Sequence, residues 1–430
     1  MLGAPLTLPC GVVLANRFAK AALSEQLGTR TAAPTAGLSR LYRCWAEGGA
    51  GLVLTGNVMI DRRHLGEPRN VAIESDEHLA ALSAWAAAGA SDPSGSQLWM
   101  QINHPGRQAP RFVDPSPVAP SAVQLKVAGA FATPRVLTGD EIVEVIARFA
   151  TTAKVARQAG FAGVQLHGAH GYLISQFLSP LTNVRDDEWG GDAERRMRFV
   201  LEIVRAVRSE VGAGFPIGIK LNSADFQRGG FGEGESMAVA GALARAGIDL
   251  IEVSGGTYEQ TAMVGIAGGK AGDGGAAGKA GDSGAAGVPA KGAMKASTRA
   301  REAYFIDYAL AVRAAIGDVP LMLTGGFRTA AGMADAVATG AADVVGLGRP
   351  LTVEPDLPAR ILRCASAGSD LTDKRLGIKR IDGIAEVAWH TGQLHRIARG
   401  RSPRARMPVA AAVAGALVRD GFNAVRRVRG

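Results

Sequence analysis

Eight short β-rich runs, each followed by an amphipathic stretch of helical period, extend through most of this 430-residue chain. They lie at Phe18–Ala22, Gly51–Thr55, Ser96–Ile102, Gly163–Leu166, Pro216–Leu221, Asp249–Val253, Pro320–Leu323 and Asp343–Leu347. The stretches between them include Gly139–Gln158, Ala193–Val211, Glu235–Ala246 and Arg299–Ile316, with apolar residues at helical spacing. Parallel strands need long crossovers, and eight strand–helix repeats predict an α/β fold of the (β/α)8 TIM barrel type. The opening "LTLPCGVVLANRF" (6–18) puts a Pro-Cys-Gly turn between extended runs, which predicts an N-terminal hairpin capping the bottom of the barrel.

Two segments break the repeat. Residues 265–293 are mostly Gly and Ala and contain the tandem "KAGDGGAAG" and "KAGDSGAAG", a composition that cannot build a core. This predicts a flexible low-complexity insertion in the loop after strand six, with a lid over the barrel mouth as the other reading. The second is the end of the chain. Residues 395–430 hold nine arginines and one acid, Asp420, so this tail carries +8 of the formal net charge of +9. The body is nearly neutral, and no nucleic-acid partner is expected. The division predicted is a barrel over 1–366 and a C-terminal extension over 367–430 ending in the basic tail. A solvated, partly frayed terminus is the preferred reading of that tail. A surface-seeking or subunit-docking helix over "PVAAAVAGALV" is the other.

Apolar residues make up 47% of the chain and charged residues 20%, ample for one large core. No apolar run approaches the ~20 residues needed to cross a bilayer. The first residues lack the basic start of a secretion signal, so a cytoplasmic location is expected. Cys10, Cys44 and Cys364 are far apart, which excludes a cysteine-built metal or iron–sulfur site.

In such a barrel the chemistry gathers at the C-terminal ends of the strands. The segment "HGAHGYLISQFLSPLTNVRDDEWGG" (167–191) follows strand four and puts His167, His170 and Tyr172 within six positions. A His pair alone lacks the third ligand that zinc requires, and no metal site is expected. Two neutral imidazoles can instead donate hydrogen bonds to a substrate oxygen, and a phenol of pKa ~10 can donate a proton at neutral pH. Lys220, ending strand five, places a positive charge inside the barrel mouth. It suits a counter-ion for an electron-rich ring or, with a depressed pKa, a Schiff base. After strands seven and eight, "TGGF" and "GLGRP" bring Gly325, Gly326, Gly348 and Arg349 to the place where barrels commonly bind phosphate.

Five stretches in order, "NRFAKAALSE" (16–25), "QINHPGRQ" (101–108), residues 167–191, "TGGFRT" (324–329) and "GLGRP" (346–350), resemble the Old Yellow Enzyme family of FMN-dependent NADH:flavin oxidoreductases. The resemblance runs from about residue 5 to residue 365. It implies FMN as cofactor and NADH or NADPH as reductant. Ala22, Ser24, Gly56 and Gln101 would lie around the flavin ring, with Gln101 on its pyrimidine edge. Lys220 would stand near N1 and O2, and Gly325, Gly326, Gly348 and Arg349 would hold the phosphate. His167 and His170 would bind the oxygen of an unsaturated substrate, and Tyr172 would protonate its α-carbon. Branches with an iron–sulfur cluster and further nucleotide-binding domains carry cysteines that are absent here, which implies a single-domain, cluster-free member. Lys220 replaces the arginine of many relatives and keeps the charge without the fork. The insertion falls beside Ser297, Thr298 and Arg299, where substrate or nicotinamide contacts are expected.

The leading expectation is therefore reduction of α,β-unsaturated carbonyl compounds, or related nitro or quinone compounds, with a homo-oligomer as a further expectation. The alternatives are an NAD(P)H:acceptor oxidoreductase or NADH oxidase with a non-alkene acceptor, a Schiff-base lyase built on Lys220, and a flavin-binding scaffold acting through its basic tail.

Overall fold

The computed structural model describes the chain apart from residues 92–94, 128, 255–306, 379–380 and 428–430, with side chains described as far as residue 419. The insertion at 265–293 and Ser297, Thr298 and Arg299 lie outside the described residues. At the centre is a closed barrel of eight parallel strands: β1 (Phe18–Lys20), β2 (Leu52–Leu54), β3 (Gln97–Asn103), β4 (Gly163–Gly168), β5 (Ile217–Asn222), β6 (Leu250–Ser254), β7 (Leu321–Thr324) and β8 (Val344–Leu347). Each pairs with the next in chain order, and β8 returns to β1 through Val345↔Phe18 and Leu347↔Lys20. All eight expected strands are present, shifted by no more than two residues at either end.

Helices α1 (Ala36–Ala46), α2 (Leu79–Gly89), α3 (Gly139–Gln158), α4 (Leu173–Leu178), α5 (Ala193–Val211) and α6 (Glu233–Arg245) follow the first five strands. α7 is described over 307–316, and α8 (Ala330–Ala338) and α9 (Leu357–Leu362) complete the ring. α3 begins where its sequence dictates: the Thr138 side chain caps Glu141 N, and the Glu141 carboxylate returns to Thr138 N at 2.8 Å. Outward-facing Val164, Leu166, Ile217, Ile219, Ile251 and Val253 pack against these helices in one continuous apolar core.

The inward faces explain the site. Because a strand alternates its side chains, β3 points Trp99, Gln101 and Asn103 inward, and β4 points Gly163, Gln165 and His167. β5 contributes Gly218, Lys220 and Asn222, and β6 contributes Leu250, Glu252 and Ser254. The lowest level is apolar. Trp99 fills it with Leu54, Leu250, Met322 and Val344, and Leu8 and Leu14 of the hairpin close it from below. That hairpin pairs Leu6–Thr7 with Val13–Leu14, as expected. Gly163 is required here, because a Cβ would stand 2.7 Å from the Trp99 ring. Above this plug the interior turns polar.

The C-terminal extension docks through the part that precedes most of its arginines, whereas the described residues of the basic tail from Arg399 to Arg419 are mostly exposed. α10 (Asp382–Ala398) lies against the barrel with Trp389, Leu394 and Ile397 buried, and α11 (Val409–Arg427) packs on α10. Arg40 Nε of α1 donates to Ala398 O at 2.9 Å, and Trp389 Nε1 donates to Met407 O at 2.8 Å. The arginines obscured this: the apolar face of α10 lies mostly N-terminal to them, and it is the part that docks. Among the described residues no helix is long and apolar enough to cross a membrane.

Candidate active site

Three groups of expected residues come together at the C-terminal mouth of the barrel. The first is the aromatic cluster after β4. His167 and His170 have ring centroids 5.1 Å apart, and Tyr172 lies 4.7 Å from His167. His170 takes a left-handed backbone (φ 62°) that turns the chain back over the barrel, and its N–H donates to Asn222 Oδ1 at 3.1 Å. Its Nε2 shares a hydrogen bond of 2.6 Å with the Ser254 hydroxyl. Burial, then Lys220, lowers the His170 pKa to about 3. Burial, then His170 and Lys220, holds His167 well below the usual range. Both rings are therefore neutral at working pH. Among the described residues His167 Nδ1 is buried without a hydrogen-bond partner, a costly arrangement for a polar atom that a ligand would relieve.

The second group is the polar layer beneath. Gln101 Nε2 donates to Gln165 Oε1 at 2.8 Å, and Gln165 Nε2 donates to Glu252 Oε2 at 2.8 Å. Glu252 Oε1 stands 2.9 Å from Lys220 Nζ. Lys220, expected as a fixed cation, is thus one half of a buried ion pair, with side-chain exposures of 5% for Lys220 and 0% for Glu252. Beside β1 lies a second buried set. Lys20 Nζ donates to Leu54 O at 2.8 Å, and burial lowers its pKa to about 7 despite the opposing pull of Glu25. Tyr42 OH donates to the Glu25 carboxylate, and the Gly56 N–H reaches Glu25 Oε1 at 2.9 Å and Tyr42 OH at 2.8 Å. Only glycine fits at 56, where a Cβ would lie 2.2 Å from Leu23 O. Ser24 directs its hydroxyl to Glu67.

The third group lines a cleft of about 180 Å³ between β1, β7 and β8. Ala22, Gly325, Gly326, Gly348 and Arg349 all border it; Ser24, Gly56 and Gln101 do not. Gly325 (φ 124°) and Gly326 (φ 79°) adopt backbone that side chains resist, leaving the loop open to a ligand. Thr324 Oγ1, on the same wall, is buried without a partner among the described residues. Arg349 Nη1 donates to Glu386 Oε1 of α10 at 2.8 Å, and His390, also on α10, bonds Thr352 at 2.7 Å. His395 Nε2 bonds Glu25 O at 2.8 Å, so α10 touches both ends of the site. An anion-receptive cleft at one end and paired amides and charges at the other fit a planar polar ring with a phosphate tail.

Gln165, Glu252, Lys20, Glu25, Tyr42 and Glu386 escaped the sequence reading. A signal existed for two of them. "GVQLHG" and "LIEVS" are otherwise apolar strand runs, and a Gln or Glu buried in one demands a partner.

A barrel with such a site defines a flavin oxidoreductase of the Old Yellow Enzyme type, and comparison with known proteins agrees. Residues 2–265 match the model of the NADH:flavin oxidoreductase / NADH oxidase family, to which this chain belongs. The chain is 36% identical to the NADH-dependent flavin oxidoreductase iccE of Talaromyces variabilis over 93% of its own length and 98% of the relative's. It is 32% identical to the NADH oxidase of Thermoanaerobacter brockii over 81% of its length and 49% of that protein's. Among solved structures, morphinone reductase in complex with tetrahydroNAD superposes with a TM-score of 0.65 at 26% identity, covering 86% of this chain and 92% of the other. An old yellow enzyme homologue from Zymomonas mobilis shares the fold, with a TM-score of 0.67 at 24% identity over 86% and 94% of the two chains. The protein is an oxidoreductase with FMN as cofactor and a nicotinamide as reductant.

Proposed function

We propose that the protein uses NADH or NADPH to reduce the C=C bond of α,β-unsaturated carbonyl compounds, or related nitro and quinone compounds. The observation that supports this most is the cluster of two neutral imidazoles and a phenol at the end of β4, where His167 stands opposite Lys220 in the strand register. Bound FMN supplies the centre that takes electrons from the nicotinamide and delivers a hydride to the substrate β-carbon. In this reading Gln101 meets the pyrimidine edge of the ring, Ala22, Ser24 and Gly56 border it, and Lys220 provides positive charge beside it. Gly325, Gly326, Gly348 and Arg349 hold the phosphate through backbone N–H groups and a guanidinium.

His167 and His170 donate hydrogen bonds to the substrate oxygen. This draws electron density from the β-carbon and stabilises the negative charge that develops. Tyr172 then places its phenolic proton on the α-carbon. Residues 1–366 make the catalytic barrel, and 367–430 form an extension that closes against it. We place the enzyme in the cytoplasm, in keeping with its unpaired cysteines, and as a homo-oligomer.

Anaerobic stopped-flow absorbance tests the reading. NADH or NADPH should bleach the flavin band, and a second mix with cyclohexenone should restore it. Bleaching with recovery only by a quinone, a nitro compound or oxygen would replace alkene reduction by a general acceptor oxidoreductase, the reading favoured by the NADH oxidase relative. A protein without bound flavin would contradict both.

A further inference from the structure

The polar layer inside the barrel has a direction, and a single residue sets it. Glu252 is fully buried, and an ionised carboxylate only accepts hydrogen bonds. Because Glu252 Oε2 takes its hydrogen bond from Gln165 Nε2 at 2.8 Å, the Gln165 amide must turn its oxygen the other way. That oxygen accepts from Gln101 Nε2 at 2.8 Å, so Gln101 in turn is left to present its own carbonyl oxygen. The second carboxylate oxygen stands 2.9 Å from Lys220 Nζ. An ammonium beside a ring favours its anionic reduced form. A carboxylate in contact with that ammonium turns an isolated charge into a dipole, whose field falls off faster.

We propose that Glu252 is a positioning residue for the flavin ring: it fixes Gln101 with its carbonyl toward the site and offsets the charge of Lys220, holding the flavin at a lower midpoint potential than Lys220 alone would give. Gln165 is the link between the two effects. Without a carboxylate at 252 both amides can turn over, and Lys220 acts undiminished. The inference rests on the FMN site proposed above.

The test is reductive titration of the FMN-loaded protein against a reference dye under anaerobic conditions. Glu252→Gln keeps the shape and removes the charge. It should favour reduced over oxidised flavin about 10-fold relative to wild type, which is about +30 mV for a two-electron couple. Glu252→Asp, which keeps the charge, should return the potential toward wild type. A Glu252→Gln midpoint that stays put or moves negative overturns the charge role. If that variant does not accumulate as folded protein, Lys220→Met and Lys220→Met/Glu252→Gln replace it. The first should lower the midpoint and the second should recover about 10-fold of that loss; equal midpoints overturn the proposal. Gln165→Leu cuts the relay and leaves the ion pair. It should weaken FMN binding several-fold, read by flavin fluorescence, without the rise in potential. Wild-type affinity in that variant overturns the relay role. A wild-type protein that binds no FMN sinks the site itself, whereas bound FMN with an unmoved potential sinks only the part played by Glu252.

Discussion

The two ends of the candidate site are built by opposite means. At the ring end, β3, β4, β5 and β6 contribute buried side chains tied to one another: Gln101 and Gln165 by an amide hydrogen bond, Gln165 to Glu252 by another, and Glu252 to Lys220 as an ion pair. At the phosphate end, the loops after β7 and β8 offer left-handed glycine backbone and one guanidinium, with 34% of the Arg349 side chain exposed and its partner supplied by α10. A buried ion pair leaves an unpaired charge in low dielectric when either partner is lost. A backbone cradle near solvent has no such dependence. The ring end should therefore respond steeply and in a coupled way to substitution, and the phosphate end weakly and independently.

The sharpest break is expected from Lys220→Ala, which strands the Glu252 carboxylate. It should cost about 3–5 kcal/mol of folding stability in urea titrations, and Lys220→Ala/Glu252→Gln should recover part of it. Additive losses in the double variant would show that the two are not coupled. Next in size, His167→Ala with His170→Ala should weaken binding of phenolic ligands over the flavin about 10- to 100-fold, the worth of hydrogen bonds to a charged oxygen. Unchanged affinity would remove both histidines from the site.

Acid should act on both ends. His104, His167, His170, His390 and His395 are buried with lowered pKa values, about 3 for His104, His170 and His390 and about 4 for His395, against an ordinary 6.5. The unfolded chain takes up these protons first. Stability is then fully present above pH ~6.5 and is lost as pH falls toward the folded values, by about 1.4 kcal/mol per pH unit for each histidine. Melting temperatures followed from pH 7 to pH 5 should fall, and a flat profile would contradict the burial of these rings. The smallest effect is expected from Glu386→Ala. Its pair with Arg349, whose side chain is 34% exposed against 15% for Glu386, contributes about 1 kcal/mol, so FMN affinity should change by no more than about 5-fold. A larger loss would make α10 an integral wall of the phosphate site.

The same contrast describes what the sequence disclosed. Parallel strands buried on both faces read as short apolar runs, and the caps and periods of α3 and α5 are local, so the barrel and both of these helices were legible residue by residue. The residues at strand ends were legible because barrels gather chemistry there. The Gln101–Gln165–Glu252 chain was not, since its partners lie 64 and 87 residues apart and meet only once strand register is known. The docking of α10 was hidden for a related reason: Leu394 and Ile397 join the core shared with α1, more than three hundred residues earlier.

Tyr172→Phe offers the most direct test of the central claim that this site delivers a proton to a reduced alkene. The two half-reactions are followed separately by stopped-flow absorbance in wild type and variant. Flavin bleaching by the nicotinamide should proceed at the wild-type rate, and reoxidation by cyclohexenone should slow by about 10²-fold, the usual worth of a positioned general acid. Equal reoxidation rates would contradict the assignment of Tyr172 as the proton donor.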